Sequence, residues 1–87
     1  MTANTKEYNG WKNWSTWNVA LWMANDEGLY RSIQAYRQQA DRNGKRAGYA
    51  GWLHWAGLRD EKTPDGAKFS AKCLDYRALD EVVRDSD

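Results

Sequence analysis

The 87 residues include one cysteine, one histidine and one proline, and only eleven Leu, Val, Ile and Phe residues together. A lone cysteine, Cys73, excludes an internal disulfide framework. His54 has no second histidine beside it, and Cys73 is distant in sequence. A zinc site would therefore need an all-carboxylate remainder, which is not how zinc is held. No apolar stretch approaches the ~20 residues that cross a bilayer, so no membrane partner is expected. The opening run Met1-Thr2-Ala3-Asn4-Thr5-Lys6-Glu7 has no signal-peptide character, and a cytoplasmic protein is expected. So thin an aliphatic supply would suggest disorder if the net charge were high, but the formal net charge is only +1.

Aromatic residues make up the deficit, with six Trp and five Tyr. Four tryptophans, Trp11, Trp14, Trp17 and Trp22, crowd into one short segment. Each ring can bury roughly 150–250 Å², or about 4–6 kcal/mol as an upper bound. A chain of this length makes one small domain that buries on the order of 60–65% of its unfolded surface. Residues 1–9 carry no periodicity and read as a flexible arm, leaving 10–87 as the helical domain. Charge is distributed unevenly. Arg31, Arg37, Arg42, Lys45 and Arg46 face a single acid, Asp41, in the middle of the chain. Asp75, Asp80, Glu81, Asp85 and Asp87 outnumber Arg77 and Arg84 at its end. Solvated helix faces that pair with each other are the plain explanation. A patch for a partner of opposite charge is the sharper one.

The pattern predicts a compact, mainly α domain of three to four short helices with a Trp-rich core. Ser15 or Thr16 suits the N-cap of a first helix. At about 100° per residue, Trp17, Ala20, Leu21 and Ala24 share one side, and Val19 and Met23 adjoin it. Only Asn18 and Asn25 make a polar stripe. A helix apolar on nearly all sides belongs at the centre of a fold, so Trp14, Trp17 and Trp22 are expected in the core. Asn18 is expected to bond a loop backbone, because an unpartnered buried amide costs about 1–3 kcal/mol. Asp26 can cap a second helix with apolar positions Leu29, Ile33, Tyr36 and Ala40. Asn43-Gly44 then stops it, with Gly44 in the left-handed conformation. Trp52, Leu53, Trp55, Ala56 and Leu58 give a short helix, with a strand as the alternative. Thr63-Pro64-Asp65-Gly66 matches a type I turn, Phe69 falls in an extended link, and Asp75 caps a last helix with Leu79, Val82 and Val83 inward.

Catalytic patterns are missing. Asp60-Glu61 and Asp80-Glu81 are sequence neighbours, which point apart on a helix and make no acid–base pair. Gly44-Lys45-Arg46-Ala47-Gly48 could cradle a phosphate, but it follows a helix where a phosphate loop follows a strand. A Cys73–His54 pair would lack an orienting group and an oxyanion pocket. The chain is therefore read as no enzyme, with no catalytic, metal or cofactor-binding residue and no cofactor. Trp11, Tyr49, Trp52 and Trp55 stand open between core and interface.

The run Asn13-Trp14-Ser15-Thr16-Trp17-Asn18-Val19-Ala20-Leu21-Trp22, followed by Asn25-Asp26-Glu27-Gly28-Leu29-Tyr30, resembles small proteins of phages, prophages and plasmids. Their shared signature reads N-[YW]-x-T-W-N-V-A-L-W-x-x-N-D-E-x-x-Y. Thr63-Pro64-Asp65-Gly66 and the segment Leu74-Asp75-Tyr76-Arg77-Ala78-Leu79-Asp80 extend the likeness over most of residues 9–84. The resemblance implies a mobile-element setting, in which small non-catalytic proteins often inhibit host defences, as anti-CRISPR proteins do. The expected partner is thus a host defence protein complex, with nucleic acid as the alternative. Arg37, Arg42, Lys45, Arg46 and Tyr49 are the expected partner-binding residues, since Arg and Tyr are enriched in interface hot spots. The acidic last helix, Asp80, Glu81 and Asp85, is the competing surface. Oligomeric state is not legible from the sequence.

Overall fold

A computed structural model describes residues 10–85 and shows four helices, α1 Trp14–Asn25, α2 Glu27–Arg42, α3 Tyr49–Ala56 and α4 Tyr76–Asp85. The mainly α architecture is as predicted. The arm assigned to residues 1–9 lies outside the described residues. One cluster unites Val19, Ala20, Met23, Ile33, Tyr49, Trp52, Leu53, Phe69, Leu74, Leu79 and Val83, drawn from all four helices and the loop before α4.

Caps explain where the helices begin. The N-cap of α1 is Asn13, not Ser15 or Thr16. Its side chain accepts the Thr16 backbone N–H at 2.9 Å and the Thr16 hydroxyl at 2.7 Å. Thr16 sits inside the first turn, fully buried, and its hydroxyl accepts the backbone N–H of Asp75 at 3.0 Å. A single residue, Asp26, joins α1 to α2. Its N–H closes α1 on the Trp22 carbonyl at 2.9 Å, and its carboxylate accepts the Leu29 N–H at 3.0 Å. Asp75 likewise caps α4 through the Ala78 N–H.

The inward face of α1 differs from the expected one. Thr16, Asn18, Val19, Ala20 and Met23 are buried. Leu21 and Ala24 are exposed, Trp14 is 40% exposed, and Trp17 and Trp22 are half-buried. The apolar circumference of α1 left its rotation open, and the rest of the chain decided it. Residues 58–75 fold back on α1 in a hairpin-like loop, where Lys62 and Lys68 pair in an antiparallel bridge. Gly66 N–H closes the predicted turn on the Thr63 carbonyl at 2.8 Å. That loop reaches Asn18 by side chains, not by the backbone contact expected. Thr63 donates its hydroxyl to Asn18 Oδ1 at 2.6 Å, and Asn18 Nδ2 donates to Asp65 Oδ2 at 2.8 Å. Trp22 Nε1 donates to the same carboxylate oxygen at 2.9 Å.

The large fully buried rings are Tyr49 and Trp52, from a helix that starts at Tyr49. Starting there gives 49, 52, 53 and 56 the i, i+3, i+4, i+7 spacing of one apolar stripe. Trp52 Nε1 donates to Ser32 Oγ at 2.9 Å, and its ring meets Phe69 edge-on at 6.1 Å. Phe69 lies in the connection between α3 and α4, as expected, and is at the same time part of the core.

Candidate functional site

The basic residues singled out in the sequence lie at the end of α2 and in the turn that follows. Two backbone bonds make this end a Schellman motif. Gly44 N–H bonds the Asp41 carbonyl at 3.1 Å, and Lys45 N–H bonds the Ala40 carbonyl at 2.8 Å. Gly44 takes φ +67°, the left-handed value that glycine adopts without strain. The motif turns the chain sharply, and Arg42, Lys45 and Arg46 remain exposed around it. Arg37 is half-buried one turn earlier, in a shallow groove of about 200 Å³ with Gln34, Gln38 and Asp41. The two ion pairs among the described residues, Arg31–Glu27 and Arg84–Asp80, involve none of these four cations.

Residues 45–48 are held on their other side by α4. Gly48 is the N-cap of α3 and offers no side chain. Asp80 supplies one from a distance, its Oδ1 accepting the Tyr49 N–H at 2.7 Å. Arg84 Nε donates to the Ala47 carbonyl at 2.7 Å. Asp80 thus acts as a cap for another helix, and the acidic surface of α4 is reduced to Glu81 and Asp85, both exposed.

Tyr49 does not join the cations at the surface. It is fully buried, and its hydroxyl donates to the Phe69 carbonyl. Burial, with a smaller contribution from Tyr76, raises its phenol well above the ordinary tyrosine range. From the same helix Trp55 does reach solvent, 46% exposed. It packs on Tyr36 with ring centroids 6.0 Å apart. The Tyr36 hydroxyl in turn accepts the Gly48 N–H at 3.3 Å, two residues beyond Arg46. This contact requires glycine at position 51, where a Cβ would lie 2.2 Å from the Tyr36 oxygen. Trp55 therefore packs on a ring whose hydroxyl is braced against the backbone at Gly48. In the sequence Trp55 stands open between core and interface. The stripe through 49, 52, 53 and 56 was the available signal, because Trp55 falls off it.

A cleft of about 510 Å³ is lined by Ala50, Leu53, His54, Arg59, Ser70 and Tyr76. Its hydroxyls are already engaged as donors, Ser70 to the Arg59 carbonyl and Tyr76 to the Ala71 carbonyl. Cys73 is exposed and does not line it. Among the described residues, no group of three or more His, Cys, Asp and Glu could hold a metal ion. None of the described helices is long and apolar enough to cross a membrane.

One family pattern, described as that of a family of unknown function, matches residues 4–87. No curated protein and no solved structure matches the chain.

Proposed function

We propose, for a chain that belongs to the family of unknown function DUF7249, a non-catalytic role in which it binds a macromolecule and inhibits a bacterial defence complex. The resemblance of its Trp-Asn-Val-Ala-Leu-Trp segment to small proteins of phages and plasmids supports the mobile-element setting, with the host cytoplasm as the place of action. The observation that carries the binding role is Trp55, half exposed on Tyr36, whose hydroxyl accepts the Gly48 N–H two residues beyond the exposed Arg46. Trp, Tyr and Arg dominate interface hot spots because they combine large apolar area with a polar or charged handle. Holding Trp55 in place beforehand lowers the entropy lost on binding.

An accessory protein that binds nucleic acid is the second reading. It is favoured by an exposed indole together with the exposed cations Arg42, Lys45 and Arg46, the groups with which proteins hold bases and phosphates of single strands. A pull-down from host lysate, repeated with Trp55→Ala and with Arg42→Glu/Arg46→Glu, tests the proposal. Capture of a defence component by the parent chain and its loss in both variants is the expected result. Capture unchanged by either variant refutes the site. If nuclease treatment abolishes capture and affinity falls steeply with salt, by about 0.7–0.9 log units per log salt for each phosphate contact, nucleic acid is the partner.

A further inference from the structure

We propose that the cleft between α3 and the start of α4 is a binding site for a phosphate monoester carried on an apolar body. Three segments meet there: Ala50, Leu53 and His54 from α3, Arg59 and Ser70 from the loop that follows, and Tyr76 from α4. The hydrogen-bond inventory sets the sign of the ligand. Ser70 and Tyr76 spend their hydroxyl protons on the carbonyls of Arg59 and Ala71. The side-chain donors left over are those of Arg59 and His54, which have no hydrogen-bond or ion-pair partner among the described residues. Asp60 and Glu61 follow Arg59 in sequence, yet neither pairs with it, and no acid lines the cleft. A concave surface with unspent cationic donors and no carboxylate selects an anion.

Size and chemistry narrow the anion. The cleft holds about 510 Å³, inside the range of roughly 300–1,000 Å³ for small-molecule sites and more than an inorganic ion fills. Leu53, 3% exposed, and the half-buried Tyr76 supply apolar wall, so the rest of the ligand is apolar. Arg59 presents a planar fork of N–H donors that grips two oxygens, and His54 adds a ring N–H in either protonation state. A phosphate monoester has three terminal acceptor oxygens, enough for both residues at once. A carboxylate has two, which the Arg59 fork alone takes up.

The fold holds the site open. Gly57, at φ +73°, ends α3 in a Schellman motif, with its N–H on the His54 carbonyl at 3.3 Å and the Leu58 N–H on the Leu53 carbonyl at 2.9 Å. That turn leads the chain to Arg59, whose carbonyl accepts the Ser70 hydroxyl at 2.5 Å. On α4, the Tyr76 hydroxyl is anchored on the Ala71 carbonyl at 2.9 Å, and its ring packs on Tyr49 with centroids 5.6 Å apart. Walls fixed beforehand lower the ordering cost of binding. The inference is independent of the proposed function, because the cleft contains none of Trp55, Arg42, Lys45 and Arg46.

Phenyl phosphate is the probe, titrated into the protein while amide chemical shifts are followed by NMR, which also confirms that each variant is folded. The parent chain is expected to bind it saturably, with the largest shifts at Leu53, His54, Arg59, Ser70 and Tyr76. Inorganic phosphate at matched ionic strength should bind at least tenfold more weakly, because it leaves the apolar wall uncovered, and phenol should not saturate. Arg59→Gln, at an exposed position, should weaken phenyl phosphate at least tenfold, and His54→Gln several-fold. Lys12→Gln, an exposed cation outside the cleft, should leave affinity unchanged. Absence of saturable binding up to millimolar phenyl phosphate overturns the proposal. So does a loss in Lys12→Gln equal to that in Arg59→Gln, which would mean diffuse attraction to surface cations. Benzoate binding as tightly as phenyl phosphate overturns the assignment to a phosphate.

Discussion

Asp65 joins two elements through one carboxylate oxygen, which receives Asn18 Nδ2 and Trp22 Nε1 together. Both donors stabilise the charged form, and they hold the Asp65 carboxyl below the ordinary carboxylate range, Asn18 contributing most. A depressed folded-state pKa means the unfolded chain binds the proton more readily. The carboxylate therefore adds stability above the unfolded value, near 3.9, and that contribution is lost as pH falls through the lower folded value. Urea unfolding followed by tryptophan fluorescence should show Asp65→Asn less stable than the parent at neutral pH. The gap should narrow as pH drops below about 4. A gap that stays constant into strong acid would remove Asp65 from this role.

At the scale of elements, α3 is the least self-sufficient of the four helices. It spans eight residues with Gly51 inside it, and its N-cap Gly48 has no side chain. Helices this short do not form alone, so α3 depends on what surrounds it. Asp80 provides its cap from α4, and a Cβ on Gly48 would come within 3.3 Å of that carboxylate. Asp80→Ala should therefore cost about 0.5–2 kcal/mol, the range for losing an N-cap. Glu81→Ala, at the exposed neighbouring position, should stay within about 0.5 kcal/mol. Equal effects of the two in urea titrations would mean that the cap is unimportant. The charge reversal that would probe an acidic binding surface on α4 consequently has to avoid Asp80 and use Glu81 and Asp85.

For the whole molecule, tryptophans divide into those that hold the fold and those it displays. Trp52 is fully buried and satisfied by Ser32, whereas Trp55, three residues later, is 46% exposed. Removing a buried Trp costs about 3–5 kcal/mol, a large share of the roughly 4–13 kcal/mol available to a chain of this size. Trp52→Ala should melt at a much lower temperature or fail to fold. Trp55→Ala should keep a cooperative transition close to that of the parent. Scanning calorimetry of the two variants reads this directly, and comparable losses would show that Trp55 is structural after all.

What the amino-acid sequence determined by itself is whatever short-range physics governs. Asp26 and Asp75 cap the helices that follow them, Gly44 ends α2, Thr63 to Gly66 form a turn, and Ile33, Leu79 and Val83 face inward. Each follows from a backbone conformation, a neighbouring N–H or a clear contrast between apolar and polar sides. Tertiary structure decided the rest, wherever that contrast is absent or the partner is remote. The α1 helix is apolar nearly all round, so its rotation was settled by a loop more than forty residues away, through Thr63 and Asp65 on Asn18. Tyr49 and Trp55 are both aromatic, but only packing against Phe69 and Tyr36 puts one inside and leaves the other at the surface. Asp80 reads as a surface acid until folding brings it to the Tyr49 N–H, because a hydrogen bond across 31 residues has no local signature.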